Sequence, residues 1–182
     1  MEIDQKKEEA SAWFTSLRDK FCLAFEEIDP GRKFERKLWS HKGSGGGEMS
    51  IMQGNIFEKV GVNISTVSGK FSEDYRSQVK GTEKSANYWA SGISLVAHMA
   101  SPKIPAFHFN TRFLVTEDSW FGGGADMTPT FENKNDTETF HRKMKESCDP
   151  TDKNYYEEFK KNCDEYFYLP HREEARGVGG IF

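Results

Sequence analysis

The sequence predicts an α+β fold in which an antiparallel β-sheet is covered by helices. Three features of the 182 residues predict it: an amphipathic helix near the start, a run of strand-like segments in the middle, and two helices towards the end. Strands that follow one another without intervening helices favour antiparallel pairing, with the helices packed onto the sheet. A chain of this length suits one hydrophobic core, so residues 1–182 are predicted to form a single domain.

The first helix is predicted over residues 6–28. Its apolar side chains recur at three- and four-residue steps, which places them on one face of a helix. Pro30 and Gly31 end the pattern, because proline cannot continue the helical hydrogen bonds. The stripe predicts core packing, and its members are Ala10, Trp13, Phe14, Leu17, Phe21, Ala24, Phe25 and Ile28.

The middle of the chain carries the strand-like patterns. Residues 33–40 are predicted to be extended. The glycine-rich residues 43–47 are predicted to form a flexible loop or a mobile flap, since they lack the Lys-Ser/Thr pair of a phosphate-binding loop. Apolar residues then alternate as they do in a half-buried strand. These strand predictions cover residues 48–69, 88–98 and 107–115.

The last part of the chain returns to helical patterns. Helices are predicted over residues 136–148 and 154–169. The second opens with Asn154 and Glu157 at capping-box spacing and stops before Pro170. Residues 177–182 then resemble the start of a further strand.

Composition and charge exclude several classes of protein. The chain carries 25 basic and 29 acidic side chains, and its net charge of −4 argues against a protein that mainly binds nucleic acid. No apolar run approaches the roughly 18 residues needed to span a membrane. The acidic N-terminal segment fits neither a secretory signal nor a transit peptide. Three cysteines without metal-site spacing favour reduced thiols in a cytoplasmic protein.

Polar side chains share one face of two neighbouring strand predictions. In the last strand, alternation puts His108, Asn110 and Arg112 opposite the apolar residues. Ser94 and His98 lie four residues apart, so they share a face of the preceding strand. If the two strands pair, these five side chains meet on one side of the sheet. The arrangement is either an ordinary solvated face or a binding site.

A carboxylate and two further histidines extend this set. Asp126 follows three glycines, which would let a ligand approach closely. The histidines are common metal ligands, although they show no compact zinc spacing. They leave open a metal-dependent hydrolase, in which the imidazoles would converge on one ion with Asp126 or Ser94 in support. The four are His98, His108, His141 and His171.

Six segments, in order along the chain, carry a resemblance to one family. They are FEKVGVN (57–63), GISLVAH (92–98), PAFHFNTRF (105–113), WFGGGADMTP (120–129), CDEYFY (163–168) and HREEARGVGGIF (171–182). Together they resemble the aerobic, oxygen-dependent coproporphyrinogen-III oxidases of haem biosynthesis, over nearly the whole chain.

The resemblance implies a fold, a reaction and an assembly. The implied fold is a large, flat antiparallel sheet with helices on both faces, in a homodimer. The implied reaction converts two propionates of coproporphyrinogen-III to vinyls, giving protoporphyrinogen-IX and carbon dioxide, with O2 as the co-substrate. No organic cofactor is implied. A divalent metal is assigned in bacterial relatives and not required by others.

The resemblance also implies roles for individual residues. His108 matches the proton donor, and Asp126 matches a carboxylate at the porphyrinogen. Ser94 and the three consecutive residues Asn110, Thr111 and Arg112 match substrate-binding positions. The positions assigned to the metal match His98, His108, His141 and His171.

Two expectations concern the chemistry of these side chains. The substrate carries carboxylates, and a guanidinium pairs with a carboxylate through two hydrogen bonds. Arg112 is therefore expected to hold a propionate, with Arg142, Arg172 and Arg176 as further candidates. Burial against Phe121 and Met127 is expected to raise the pKa of Asp126.

The end of the chain departs from the family pattern. Family members continue beyond the GGIF segment at 179–182, so the chain is expected to be incomplete at its C-terminus. The segment beyond carries a Gly-Gly-Arg substrate loop and much of the dimer interface in the family. This leaves open a non-catalytic tetrapyrrole-binding fragment or subunit.

Overall fold

The protein is described here by a computed structural model, which covers residues 2–182. Four helices lie within this range: α1 (Ile3–Ile28), α2 (Glu73–Arg76), α3 (Lys134–Cys148) and α4 (Tyr155–Tyr166). The strands within it are β1 (Glu35–Ser40), β2 (Ser44–Met52), β3 (Phe57–Lys70), β4 (Asn87–Met99), β5 (Ala106–Val115), β6 (Ser119–Thr128), β7 (Tyr168–Leu169), β8 (Glu174–Ala175) and β9 (Gly180–Ile181).

One antiparallel sheet of seven strands dominates the described part of the chain. Its order is β1-β2-β3-β4-β5-β6-β9, so each of the first six strands pairs with its neighbour in sequence. The short strands β7 and β8 form a separate hairpin. The predicted α+β class with an antiparallel sheet is confirmed.

Helix α1 packs on one face of the sheet, here called the α1 face. Phe14 and Cys22 point from the helix into a core with Val60, Val62 and Leu95, and all five are at most 2% exposed. Burying an aromatic or branched aliphatic side chain stabilises a fold by roughly 1.5–3 kcal/mol. The predicted helix over residues 6–28 is confirmed, and it begins three residues earlier than predicted.

The opposite face of the sheet, here called the polar face, follows from strand register. Cα pairing sets Arg112 between Gly92 and Gly122, and Asn110 between Ser94 and Gly124. Directly paired residues in neighbouring strands point to the same side. Tyr166 at the end of α4, together with Phe167 and Phe182, lies over this face and lines a cavity with Ser94, Asn110 and Arg112.

Two glycine-rich segments are strands rather than loops. The predicted loop at residues 43–47 is wrong, because all but its first residue lie in β2, paired with β1 and β3. A Cβ on Gly47 would overlap the Ile64 carbonyl and come within 2.8 Å of the Trp39 ring. Glycine is used here for close packing of neighbouring strands, which a local pattern does not distinguish from flexibility. Residues 122–124 likewise lie within β6.

The C-terminal elements close the far edge of the sheet. Helices α3 and α4 pack on each other and on β9, which pairs with β6. The second predicted helix ends at Tyr166, three residues before the expected end, and gives way to the β7–β8 hairpin. No helix in residues 2–182 combines the length and the apolar character that crossing a membrane requires.

Candidate active site

A buried carboxylate is the centre of the candidate site. Asp126 is 4% exposed and projects from β6 on the polar face, directly opposite His108 of β5. Its Oδ2 atom accepts a hydrogen bond from Nη2 of Arg176 at 2.9 Å and lies 3.2 Å from Nδ1 of His108. Its Oδ1 atom has no hydrogen-bond partner among residues 2–182. One oxygen is therefore fixed by the protein, and the other has no partner within the described residues.

The surroundings of Asp126 stabilise its charged form. Burial acts to raise its pKa, but the hydrogen bonds from His108 and Arg176, together with their charges, bring the pKa below its ordinary value. The expected rise in this pKa is wrong. Phe121 and Met127 do not surround the carboxylate, because each lies an odd number of residues from Asp126 and points to the α1 face.

A second imidazole continues the line of polar groups. Nε2 of His98 lies 3.5 Å from Nε2 of His108, with the two rings nearly perpendicular at 88°. In the neutral ring, donation from Nδ1 of His108 to Asp126 leaves a lone pair on Nε2 that faces His98, whereas in the protonated ring both nitrogens donate. His98 is exposed whereas Asp126 is buried. The three side chains therefore form a connected path from the surface to the buried carboxylate.

Two adjoining cavities lie next to this part of the sheet, and His98, His108 and Asp126 are not among the residues that line them. One has a volume of about 470 Å³ and is lined by Ser94, Asn110 and Arg112 below the aromatic rings of α4 and the C-terminus. The other, of about 1040 Å³, shares Asn110, Arg112 and Phe182 with it. Binding cavities for organic ligands commonly measure about 300–1,000 Å³ and combine apolar walls with a few polar groups. The pair offers room for a large, partly apolar ligand.

Arg112 is the free cation of this region. It is exposed, and no ion pair or side-chain hydrogen bond to it forms within residues 2–182. The other arginine candidates are engaged elsewhere: Arg142 pairs with Glu146 and Arg172 with Glu174. The strand alternation that predicted Arg112 beside Asn110, Ser94 and the two histidines is confirmed by the register.

Thr111 lies apart from the other predicted substrate-binding side chains. It pairs with Ile93 and Gly123, so its side chain points to the α1 face. Thr111 lines both cavities with its neighbours Asn110 and Arg112, but its side chain is on the other face from theirs. The structure therefore brings together Ser94, Asn110 and Arg112, but not the Thr111 hydroxyl.

The four histidines considered as metal ligands do not converge. His98 and His108 meet, but both ring nitrogens of His141 are engaged, by the Val178 carbonyl at 2.9 Å and the Tyr156 hydroxyl at 3.1 Å. His171 is exposed in the turn between β7 and β8. Across residues 2–182, no three His, Cys, Asp or Glu side chains are arranged to hold a metal ion. The four-histidine set therefore does not fit a single metal in this chain.

Arg176 is the site residue that the sequence did not single out. It appeared only as one of several arginines for a propionate, whereas in the structure it binds Asp126. It lies just after β8, a strand of two residues that shows no detectable periodicity. The only local signal is the pair Gly177 and Gly179, whose positive φ values of 65° and 75° mark a tight reversal before β9.

Comparison with known proteins decides the family. The family model described as "Coproporphyrinogen III oxidase" matches residues 9–182. The chain belongs to this family. It is similar to a protein of Rickettsia africae (strain ESF-5) named "Oxygen-dependent coproporphyrinogen-III oxidase", with 54% identity over 98% of this chain. A protein of the same name from Rickettsia akari (strain Hartford) is 55% identical over the same share.

Membership of the coproporphyrinogen oxidase family fits the observed sheet and helices. The matches cover 98% of this chain and 67% of the length of each of these two relatives. The residues of the candidate site lie within the part that the family model matches.

Proposed function

We propose that this chain carries out the oxidative decarboxylation of two propionates of coproporphyrinogen-III, giving protoporphyrinogen-IX in haem biosynthesis. The observation that carries the proposal is the shared face of His108, Asp126 and Arg112, with Arg112 lining both cavities, in a chain of the coproporphyrinogen oxidase family. These groups supply a proton carrier, an anion and a cation at one surface, which matches the needs of the reaction.

The electron balance of the reaction defines what the site must do. In each propionate, –CH2CH2COO⁻, the bond to the carboxylate breaks and CO2 leaves, and one C–H bond of the adjacent methylene pair is lost as a vinyl forms. Two electrons pass to O2. With the proton from the C–H bond and one from solution, O2 becomes hydrogen peroxide. The protein must therefore hold the propionate, favour electron loss from the ring and supply a proton.

Arg112 holds a propionate of the substrate in this proposal. A protein of net charge −4 does not attract an anionic substrate as a whole, so the attraction must come from local charge. Arg112 is exposed at the cavity and has no carboxylate partner among residues 2–182. Ser94 and Asn110, on the same face, add neutral hydrogen bonds.

Asp126 binds the pyrrole N–H groups of the substrate in this proposal. Its pKa is below the ordinary value, so the carboxylate is charged at neutral pH, and its Oδ1 atom is free to accept. Positive charge develops on the tetrapyrrole as electrons leave for O2. A fixed carboxylate next to that charge lowers the barrier more than it stabilises the neutral substrate.

His108 transfers the proton in this proposal. It links the buried carboxylate to exposed His98, so a proton from solution can reach the site along a short path. The proposed reaction uses O2 and no organic cofactor. We also propose a cytoplasmic homodimer, in line with the family resemblance.

The metal-dependent hydrolase is not favoured. Its imidazoles would have to converge, whereas His141 is committed to Val178 and Tyr156, and His171 lies on an exposed turn. A non-catalytic tetrapyrrole-binding role keeps the same residues but predicts binding without turnover, so the assay below separates it from catalysis.

The experiment is an anaerobic incubation with coproporphyrinogen-III followed by admission of O2. We expect no product before O2 is admitted. Afterwards one CO2 should be released and one O2 consumed for each vinyl formed, with protoporphyrin fluorescence after oxidation. Vinyl formation at the same rate without O2, or substrate binding without O2 uptake, would contradict the proposal. The second result would support the non-catalytic role.

A further inference from the structure

The β7–β8 hairpin determines where the backbone of Arg176 lies. Its register pairs Tyr168 with Ala175 and Leu169 with Glu174. The next pair outwards is Phe167 and Arg176, joined by a backbone hydrogen bond of 3.1 Å from the Arg176 N–H to the Phe167 carbonyl. The hairpin therefore sets Arg176 beside Phe167, at the edge of the candidate site.

The side chain of Arg176 is held on two sides. Its guanidinium carbon lies 3.7 Å from the centre of the Phe167 ring, a cation–π contact. Its Nη2 atom donates to Oδ2 of Asp126 at 2.9 Å. Its Nε atom is buried and has no hydrogen-bond partner in the part of the chain that the structure describes. The aromatic ring and the carboxylate together fix the guanidinium, because each restricts a different direction of movement.

The backbone that follows the hairpin also holds Arg176 close to Asp126. Gly177 and Gly179 turn the chain back into β9, where Gly180 pairs with Asp126. The N–H of Val178 donates to the Met127 carbonyl at 3.0 Å. Arg176 and its carboxylate partner thus lie on two segments that are hydrogen-bonded directly to each other.

We propose that Arg176 is the positioning residue of Asp126, and that the β7–β8 hairpin holds Arg176 in place for this role. The proposal rests on the proposed function. Arg176 orients the carboxylate so that Oδ2 faces His108 and Oδ1 faces the ligand. It is not assigned as a substrate clamp, because Asp126 and the Phe167 ring already hold its guanidinium, whereas Arg112 has no ion-pair partner among residues 2–182.

The test compares Arg176→Ala, Arg176→Lys and the matched control Arg172→Ala, together with Asp126→Asn and the double variant. Arg172 lies on the same hairpin but pairs with Glu174. We expect Arg176→Ala to lower kcat roughly 10- to 100-fold, the range of a hydrogen bond to a charged group, with KM changed less than about threefold. Arg176→Lys should recover part of the loss, and Arg172→Ala should match the parent.

The double variant separates positioning from a general structural role. If Arg176 acts through Asp126, its removal should cost little more once Asp126 is Asn, since interacting residues are not additive. A full additional loss in the Asp126→Asn background would overturn the proposal. So would an Arg176→Ala variant that turns over within twofold of the parent.

A crystal structure of the Arg176→Ala chain tests the same proposal without turnover. We expect Oδ2 of Asp126 to move beyond hydrogen-bond distance of Nδ1 of His108, with the sheet unchanged. An unmoved carboxylate would overturn the proposal. Failure of the parent chain to form vinyl product would count against the proposed function alone, because this structural comparison does not depend on activity. If the alanine variant does not fold, Arg176→Met, which keeps a long side chain without a hydrogen-bond donor, provides the same comparison.

Discussion

The two oxygens of Asp126 have separate tasks. Oδ2 is shared by His108 and Arg176, and Oδ1 has no partner among residues 2–182. An isolated buried carboxylate would be neutral, because burial disfavours charge. Two cationic or hydrogen-bonding neighbours reverse that preference, and the pKa falls. The same carboxylate is therefore both buried and charged, which suits a group that must stabilise positive charge on a ligand.

Substitution of Arg112 should weaken substrate binding. Arg112→Ala removes the free cation of the cavity, so we expect KM for coproporphyrinogen-III to rise by roughly 10- to 100-fold. Arg112→Lys keeps the charge but loses the two-pronged geometry, so it should fall between the alanine variant and the parent. The measurement is steady-state kinetics. Arg142→Ala, which removes an arginine paired with Glu146, is the control. A KM within twofold of the parent in Arg112→Ala would contradict the assignment.

Cys163 should make stability depend on alkaline pH. Burial, followed by the nearby charge of Asp126, raises the pKa of its thiol from 9.0 to about 11. Below pH 9 the thiol is protonated whether the chain is folded or unfolded. Between pH 9 and 11 the unfolded chain loses the proton first, so the free energy of unfolding decreases as pH rises.

The measurement is urea denaturation of the parent and Cys163→Ala between pH 8 and 10.5. Relative to Cys163→Ala, the parent should lose about 2 kcal/mol of its free energy of unfolding as pH rises over this range. Other groups that titrate there cancel in the difference. A difference that stays constant with pH would show that the thiol titrates normally.

Alternation along single strands predicted most of the candidate site. It placed His108, Asn110 and Arg112 on one face of β5. It also placed Ser94 and His98 on one face of β4, and the pairing of β4 with β5 brings the two groups together on the polar face. The charge state of Asp126 could not be predicted in this way. It depends on which face of β6 carries the side chain and on Arg176, fifty residues further along the chain.

Two glycines near the β6–β9 edge of the sheet differ in how much space surrounds them. A Cβ on Gly180 of β9 would overlap the Ala125 carbonyl and approach the Cα of Asp126 to 3.0 Å. A Cβ on Gly122 of β6 would meet nothing within 4 Å. The first glycine allows β9 to lie against β6, and the second leaves open space next to Arg112.

A matched pair of alanine substitutions should separate these uses. We expect Gly180→Ala to lower the free energy of unfolding by about 1–3 kcal/mol, the usual cost of overpacking. Gly122→Ala should stay within about 0.5 kcal/mol of the parent. Urea denaturation measures both. Equal effects from the two substitutions would contradict the described packing of β9 on β6.

Element length decided which secondary structure the sequence could predict. The 26 residues of α1 and the ten of β5 repeat their patterns often enough to be recognised. Strands β7, β8 and β9 have two residues each, too few for any period. The predicted strand over residues 48–69 is two strands, the second half of β2 and β3. The glycines of β2 and β6 hid the first half of β2 and all of β6 for a different reason, since glycine is used both in loops and where strands pack closely.

At the scale of the whole molecule, the sheet separates stability from the candidate chemistry. The α1 face carries the large buried side chains, including Phe14, Val62 and Leu95. The polar face carries His98, His108 and Asp126 in one line, with Arg112 beside the cavities. Two residues adjacent in a strand therefore contribute one to the core and the other to the candidate site. A one-residue shift in the register of a strand would exchange the two faces.

The proposed roles of His108 and Asp126 are tested most directly by turnover of coproporphyrinogen-III under air by the parent, His108→Ala and Asp126→Asn. Both side chains are proposed to act at the reacting ligand. Each variant should therefore lose roughly 100-fold or more in kcat while keeping the parent's free energy of unfolding to within about 2 kcal/mol. His41→Ala, at the turn between β1 and β2, should match the parent. Near-parental turnover by both His108→Ala and Asp126→Asn would contradict the account.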